Sequence, residues 1–316
     1  MTEISNETRF LHAVEMGLGA WQWGDRVTWE YGHTHSEHDV REAFEMSLEQ
    51  GIRFVDTAEI YGSGLSERLL GSFLKETDKP VLIATKYFPW PWRFGKSSLP
   101  RALKASIERL GVESIDLYQI HWHTPFMSAE VMMDGLAECV KEGLTRTVGV
   151  SNFGQKRMLR AYSALAQNGI QLASNQVHYS LLSREVEKNG TLARCKELGI
   201  RLIAYSPLEK GLLTGKYTEE NPPSGVRESQ YAEMIKKLPP IIKLMNEIGQ
   251  NHAGKSPAQV ALNWVICKGA LPIPGAKNAE QAQINAGGAG WKLTDEEVAR
   301  LDDATDDFRE YTTTTI

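Results

Sequence analysis

Residues 54–61 read FVDTAEIY, a short apolar run that ends in a polar cluster opened by Asp56. The same grammar recurs at VLIATKY (81–87), IDLYQIHW (115–122), TVGVSN (147–152), QLASNQ (171–176), RLIAYS (201–206) and ALPIPGAK (270–277), and VEMGLGAW (14–21) precedes them all. Such runs suit buried strands, and the stretches between most of them hold a helix and two short loops. That alternation predicts an α/β fold with a parallel sheet. Closed into a barrel, parallel strands present all their C-terminal ends at one rim. Asp56, Tyr61, Lys86 and His121, remote in sequence, would then meet around one substrate.

Helix signals occupy several of the gaps. Ser36-Glu37-His38-Asp39 opens an apolar series (Val40, Phe44, Leu48) that stops at Gly51, an N-cap followed by a glycine terminator. Ser256-Pro257 starts a second helix, with Val260, Ala261, Trp264 and Val265 as its buried face. Thr294 with Glu297 forms a capping-box pattern for the last one. The rhythm breaks between Tyr205 and Pro274. Residues 209–230 are rich in Gly, Pro, Ser and Glu, and 231–250 form an amphipathic segment that Pro239-Pro240 should interrupt or kink. The whole chain, 1–316, is expected to form one barrel domain in which 209–255 is an inserted loop and helical segment, its loop a flap over a bound cofactor.

Bulk properties narrow the partners. A net charge of −5 over 316 residues and no Lys/Arg cluster argue against nucleic acid and for a small molecule. MTEISNETRF has neither the charged start nor the apolar stretch of a secretory leader, and no apolar run approaches the ~20 residues of a membrane span. A soluble cytoplasmic protein is the expectation, and no residue pattern specifies an oligomeric state. Cys139, Cys195 and Cys267 are odd in number and widely spaced, so they read as buried thiols rather than disulfides or zinc ligands.

The four rim residues match what carbonyl reduction requires. A hydride must reach the carbon while a proton reaches the oxygen, and the charge growing there must be stabilised. Tyr61 can donate the proton, Lys86 supplies a cation favouring the phenolate, Asp56 fixes that ammonium, and a neutral His121 orients the substrate oxygen. No metal is needed. Tyr87-Phe88-Pro89-Trp90-Pro91-Trp92-Arg93-Phe94 follows Lys86 directly, and with Trp21, Trp23 and Trp122 it could wall an apolar pocket favouring aromatic aldehydes. Gly24, Asp25, Val27, Trp29 and Tyr31 extend the same rim, and His123 would point at solvent or the substrate mouth.

DTAEIYGSGLSERLLG (56–71), IDLYQIHW (115–122), VGVSNF (148–153) and GLLTGKY (211–217) resemble the signature segments of the aldo-keto reductase family, in that family's order and over nearly the whole chain. The resemblance implies a (β/α)8 TIM barrel with a short N-terminal β-hairpin, NAD(P)H-dependent reduction of an aldehyde or ketone, and a tetrad of Asp56, Tyr61, Lys86 and His121. It implies nicotinamide contacts from Ser151, Asn152 and Gln176, stacking on Tyr205, and further cofactor contacts from Ala20, Trp21 and Asp56. Ser206, Pro207, Leu208, Gly211, Leu213, Gly215 and Lys216 match the pyrophosphate loop, and Ile273, Gly275, Ala276, Lys277, Gln281 and Asn285 the adenosine end. Members with a Lys-Ser pair and a nearby Arg grip the 2′-phosphate of NADP. Here Gly275, Ala276 and Gln281 stand at those positions, and Lys277 lies close enough to substitute, so NADP(H) is expected over NAD(H).

A Rossmann dehydrogenase fails because Gly17-x-Gly19 lacks the third glycine at its required spacing. A metal-dependent hydrolase is suggested by His121-x-His123 and His33-x-His35-x2-His38, but the first pair serves the tetrad better and the second sits in a polar loop. Some relatives of the family act on ion channels, so a slow redox-sensing regulatory subunit holding its nicotinamide is the remaining alternative.

Overall fold

Eight strands pair in sequence order, every neighbour parallel: β1 (Gly17–Gly19), β2 (Phe54–Asp56), β3 (Leu82–Tyr87), β4 (Ile115–Ile120), β5 (Thr145–Ser151), β6 (Leu172–His178), β7 (Arg201–Tyr205) and β8 (Leu271–Ile273). A parallel bridge between Gly19 and Gly275 brings the first strand to the last, so the sheet closes as a barrel. This computed structural model describes residues 4–223 and 226–308. The helices are α1 (Arg9–Ala13), α2 (Glu37–Glu49), α3 (Leu65–Leu74), α4 (Ser98–Leu110), α5 (Ala129–Lys141) and α6 (Gln155–Gln167). They continue with α7 (Glu185–Lys188), α8 (Thr191–Leu198), α9 (Val226–Asn251), α10 (Pro257–Cys267), α11 (Ala279–Ala286) and α12 (Asp295–Ala304). The architecture is the (β/α)8 barrel.

The caps read from sequence are present. Ser36 and Asp39 close a capping box on α2, Ser256 and Gln259 on α10, and Thr294 and Glu297 on α12, each satisfying N–H groups that the first turn leaves without partners. Gly51 ends α2 at φ +86°. Cys139 and Cys195 are buried, and burial pushes both thiols up to about 12, away from reactivity.

Two expectations need correction. Among the described residues no hairpin precedes β1. The short helix α1 stands there instead, and its Leu11 enters the barrel interior with Phe54, Ala84, Leu117, Ile203 and Leu271, while Phe10 and Val14 pack alongside. An open barrel end exposes apolar strand residues, and one helical turn carrying Leu11 covers them. Nor does Pro239-Pro240 interrupt its segment, since α9 runs through both prolines. Tyr231, Met234, Ile235, Leu238, Ile241, Met245 and Ile248 are all buried at helical spacing, and that burial outweighs the lost backbone hydrogen bonds. The later part of the 209–255 segment is the expected amphipathic helix, packed along its buried face.

Candidate active site

Strand alternation makes the site. Phe54 and Asp56, Ala84 and Lys86, and Leu117 and Gln119 are each two apart, so both members of every pair face the barrel interior. The deeper member is apolar and the one nearer the C-terminal rim is polar. Lys86 is fully buried, and its ammonium donates to Asp56 Oδ2 at 2.5 Å, to the Thr57 carbonyl at 2.8 Å and to Tyr61 Oη at 3.3 Å. Asp56 Oδ1 accepts from the side-chain amides of Gln176 (2.8 Å) and Gln119 (3.4 Å). His121 follows β4 directly, held by its N–H to the Tyr87 carbonyl, and its ring meets Tyr61 edge-on at 5.6 Å.

The turn carrying Tyr61 is built from the segment that follows it. Gly62 has φ +55°, and a Cβ there would sit 2.6 Å from the Gly24 carbonyl oxygen, so only glycine fits. Ser66 donates to the Ala20 carbonyl and meets the Thr57 hydroxyl, while buried Glu67 accepts from Thr85 and Arg109. These contacts fasten the 61–67 turn to β2, β3 and α4.

Burial dominates the protonation states. It pushes Tyr61 well above its ordinary value, assisted by the charges of Asp56 and Asp25. Desolvation is the largest cause, and it keeps the resting phenol protonated while the Lys86 ammonium stands 3.3 Å from its oxygen. Burial also lowers Lys86 against the pull of Asp56, and raises Asp56 against the pull of Lys86. His121 falls well below its ordinary value, through burial first and the Lys86 charge second, so its ring is neutral near neutral pH.

A cavity of about 880 Å³ opens from Tyr61 and His121 and extends to Gln281 and Asn285. This exceeds a single small substrate and suits a bound cofactor beside one. Its walls offer a half-buried aromatic ring at Tyr205, amides at Asn152 and Gln176, and cations at Lys216 and Lys277. Asn152 (φ +62°) and Ser206 (φ +51°) hold left-handed backbone at the ends of β5 and β7. Strain of that kind gathers where a binding surface is shaped. The residues thus fit a nicotinamide dinucleotide.

A model of the Aldo/keto reductase family matches residues 15–306. The chain belongs to the aldo/keto reductase family. It is 40% identical over 305 residues to the chloroplastic pyridoxal reductase of Arabidopsis thaliana, covering 92% of this chain and 83% of that protein. It superimposes on the glycerol dehydrogenase of Gluconobacter oxydans with a TM-score of 0.82 at 26% identity, over 96% of this chain and 94% of that one. An aldo/keto reductase of Klebsiella pneumoniae in complex with NADP and acetate gives a TM-score of 0.71 at 28% identity, over 92% and 90%. This aldo-keto reductase is accordingly an NAD(P)H-dependent oxidoreductase acting on carbonyl chemistry.

Most of the expected cofactor positions line the reductase's cavity: Trp21, Asp56, Ser151, Asn152, Gln176, Tyr205, Ser206, Pro207, Leu208, Gly211, Lys216, Ile273, Gly275, Lys277, Gln281 and Asn285. Four do not. Ala20 is buried and its backbone binds Asp56 O and Ser66, Leu213 is core, Gly215 caps the 209–214 turn, and buried Ala276 spends its carbonyl on the Trp23 indole. Among the expected substrate residues, Phe88 and Trp122 line the cavity. Trp23 is turned inward, fully buried edge-on against Phe44 and Phe73, because the 20–24 turn does not preserve strand alternation. His123 lies outside the cavity walls beside Phe153, and Trp90 stacks behind Phe88 rather than lining the pocket.

Sequence reading missed Gln119 and His178. Gln119 holds Asp56, and the His178 ring lies flat against Tyr205 (8° between planes, 5.4 Å) while its Nε2 pairs with buried Glu209 at 3.0 Å. Both were within reach: Gln119 is two residues before His121 and His178 two after Gln176, so alternation puts them on the site's face. His38, Asp39 and Glu42 form the group of potential metal ligands found among the described residues. Asp39 there already caps α2, and the group lies on a helix surface.

Proposed function

We propose that the protein reduces an aromatic aldehyde to its alcohol with NADPH, Tyr61 giving the proton. The convergence of Tyr61, Lys86, Asp56 and His121 at one end of the large cavity carries this reading. When bound, a reduced nicotinamide supplies the hydride. Tyr61 remains protonated at neutral pH and can pass its proton to the carbonyl oxygen as the bond electrons move there. Lys86, 3.3 Å away, faces the phenolate left behind, and Asp56 keeps the ammonium in place. Neutral His121 orients the substrate oxygen from the other side. Its Nδ1 is buried with no hydrogen-bond partner among the described residues, so the proton belongs on Nε2, where donation to substrate is possible.

Asn152 and Gln176 supply the donors and acceptors that a carboxamide needs, and Tyr205 supplies a stacking face. Tyr205 donates to Asn152 Oδ1 (3.0 Å), and Asn152 donates to the His121 carbonyl (3.1 Å), which ties the stacking ring to the tetrad. Lys277 supports NADPH over NADH as a cation at the far end of the cavity. Trp21, Phe88 and Trp122 make the substrate end aromatic, and the similarity to a pyridoxal reductase supports a ring-borne aldehyde.

Tyr61→Phe tests the proposal. With benzaldehyde and NADPH it should lose ~100-fold or more in kcat/KM while nucleotide affinity by calorimetry persists. Unchanged turnover would remove Tyr61 from the reaction. The wild-type protein should turn over many times with excess aldehyde, and one slow turnover with retained nucleotide would favour the regulatory alternative.

A further inference from the structure

The large apolar side chains that remain exposed among the described residues are Val27, Trp92, Phe94, Phe126 and Ile284. Val27 follows β1, Trp92 and Phe94 follow β3, Phe126 follows β4, and Ile284 lines the cavity itself. Exposed apolar surface is thus confined to the rim that carries the site, which asks for a functional occupant. One file of rings joins that surface to the chemistry. Phe88 meets the His121 ring edge-on at 5.9 Å, Trp90 packs on Phe88 at 4.6 Å, and Trp92 lies parallel to Trp90 at 5.0 Å and 8° with 68% of its surface exposed.

This file is held rigidly. Glu59, its side chain only 7% exposed, accepts from the Phe88 N–H at 2.6 Å and from both terminal nitrogens of the Arg93 guanidinium, while Arg93 also donates to the Phe88 carbonyl. A nearly buried carboxylate is committed to fixing a loop whose outer face is bare indole. Fixed apolar surface binds at low entropic cost, because nothing must be ordered when the ligand arrives.

We propose that Phe88, Trp90 and Trp92 form a shelf for the apolar tail of the carbonyl substrate, which leaves the pocket and runs outward over the two indoles. The substrate class is then an aldehyde bearing an extended hydrocarbon substituent. The occupant follows from continuity, since the shelf begins at the ring touching His121. This inference rests on the reductive reading of the site, and its test is built to fail separately.

The experiment measures kcat/KM with NADPH for para-alkyl benzaldehydes from methyl to octyl, in wild type and Trp92→Ala, alongside calorimetric binding of the matching, unreactive para-alkyl benzamides to the enzyme with NADP⁺. A methylene buried on one side gains about half of a full transfer, so wild-type affinity should rise about twofold per added methylene once the tail reaches the shelf. The ratio of wild type to Trp92→Ala should grow with tail length, in both aldehyde and amide series. A ratio independent of length overturns the shelf. If no benzaldehyde is reduced, the reductive reading fails, and the amide series still upholds or overturns the shelf by itself. Sedimentation closes the remaining route: a wild-type dimer that Trp92→Ala dissociates, with length-independent binding, would assign the rim to a second copy and reject the tail.

Discussion

The lower and upper halves of the barrel interior are lined by the same strands, two residues apart, yet they do opposite work. Below, Leu11 plugs a layer of Phe54, Ala84, Leu117, Ile203 and Leu271. Above, one inward step along the same strands gives Asp56, Lys86, Gln119 and Tyr205. The lower layer gains stability from burial alone, on the order of 1.5–3 kcal/mol per large side chain. The upper layer buries an ion pair, whose desolvation penalty can exceed its mutual attraction. Stability and chemistry are thus assigned to different depths of one barrel.

The largest effect should come from Lys86→Met. Activity should fall by ~1000-fold or more, since the cation that faces the Tyr61 phenolate is gone. Stability should fall as well, by about 3–5 kcal/mol, because Asp56 is left buried without its counter-charge. Adding Asp56→Asn should restore stability in urea unfolding and leave activity lost. If the double variant is as unstable as the single one, the upper layer is not the source of that cost.

Leu11→Ala makes the complementary cut. It should lower unfolding free energy by about 2–5 kcal/mol while kcat of the folded protein stays unchanged. A fall in kcat would show that the two depths are coupled after all.

What the chain reveals to inspection follows the same division. Strand runs and helix caps are local, so Ser36, Thr294 and Ser256 announced their helices and FVDTAEIY its strand. The tetrad positions emerged because reactive side chains recurred at strand ends. Gln119 and His178 were overlooked although alternation points to them, since Gln119 carries no reactive group and His178 lies beyond Gln176, where the run QLASNQ ends. The misplacements have another cause. Trp23 sits in a turn where parity is lost, α1 exists to cover a barrel end that no local pattern describes, and α9 tolerates Pro239-Pro240 because its buried face is supplied by the rest of the fold.

A smaller effect belongs to the far end of the cavity, away from both layers. Lys277 donates to the Trp29 carbonyl at 3.2 Å and to Thr34 at 3.3 Å, which fixes its ammonium on the cavity wall. Lys277→Ala should weaken NADPH by about tenfold and leave NADH nearly unchanged, as expected for one charge-assisted phosphate contact. Equal losses for both nucleotides, measured by calorimetry, would withdraw Lys277 from 2′-phosphate recognition and leave the tetrad argument intact.

The smallest expected effect separates the layers by pH. Reduction needs Tyr61 protonated and His121 neutral. Burial holds Tyr61 protonated past the ~10 of a free phenol and keeps His121 neutral below the ~6.5 of a free imidazole, so kcat should be flat between those limits. For stability the sign follows from proton counting. Below ~6.5 the unfolded chain protonates this histidine while the folded one does not, so the unfolded state binds more protons and unfolding free energy falls as pH falls, until the lower folded value is reached. The slope from one such group is at most about 1.4 kcal/mol per pH unit. His12, His35 and His123 are also lowered by burial, so wild type alone cannot assign the slope. His121→Gln should make it shallower, whereas Leu11→Ala should lower stability by the same amount at every pH. Equal slopes in wild type and His121→Gln would mean that the titration of His121 contributes nothing to folding.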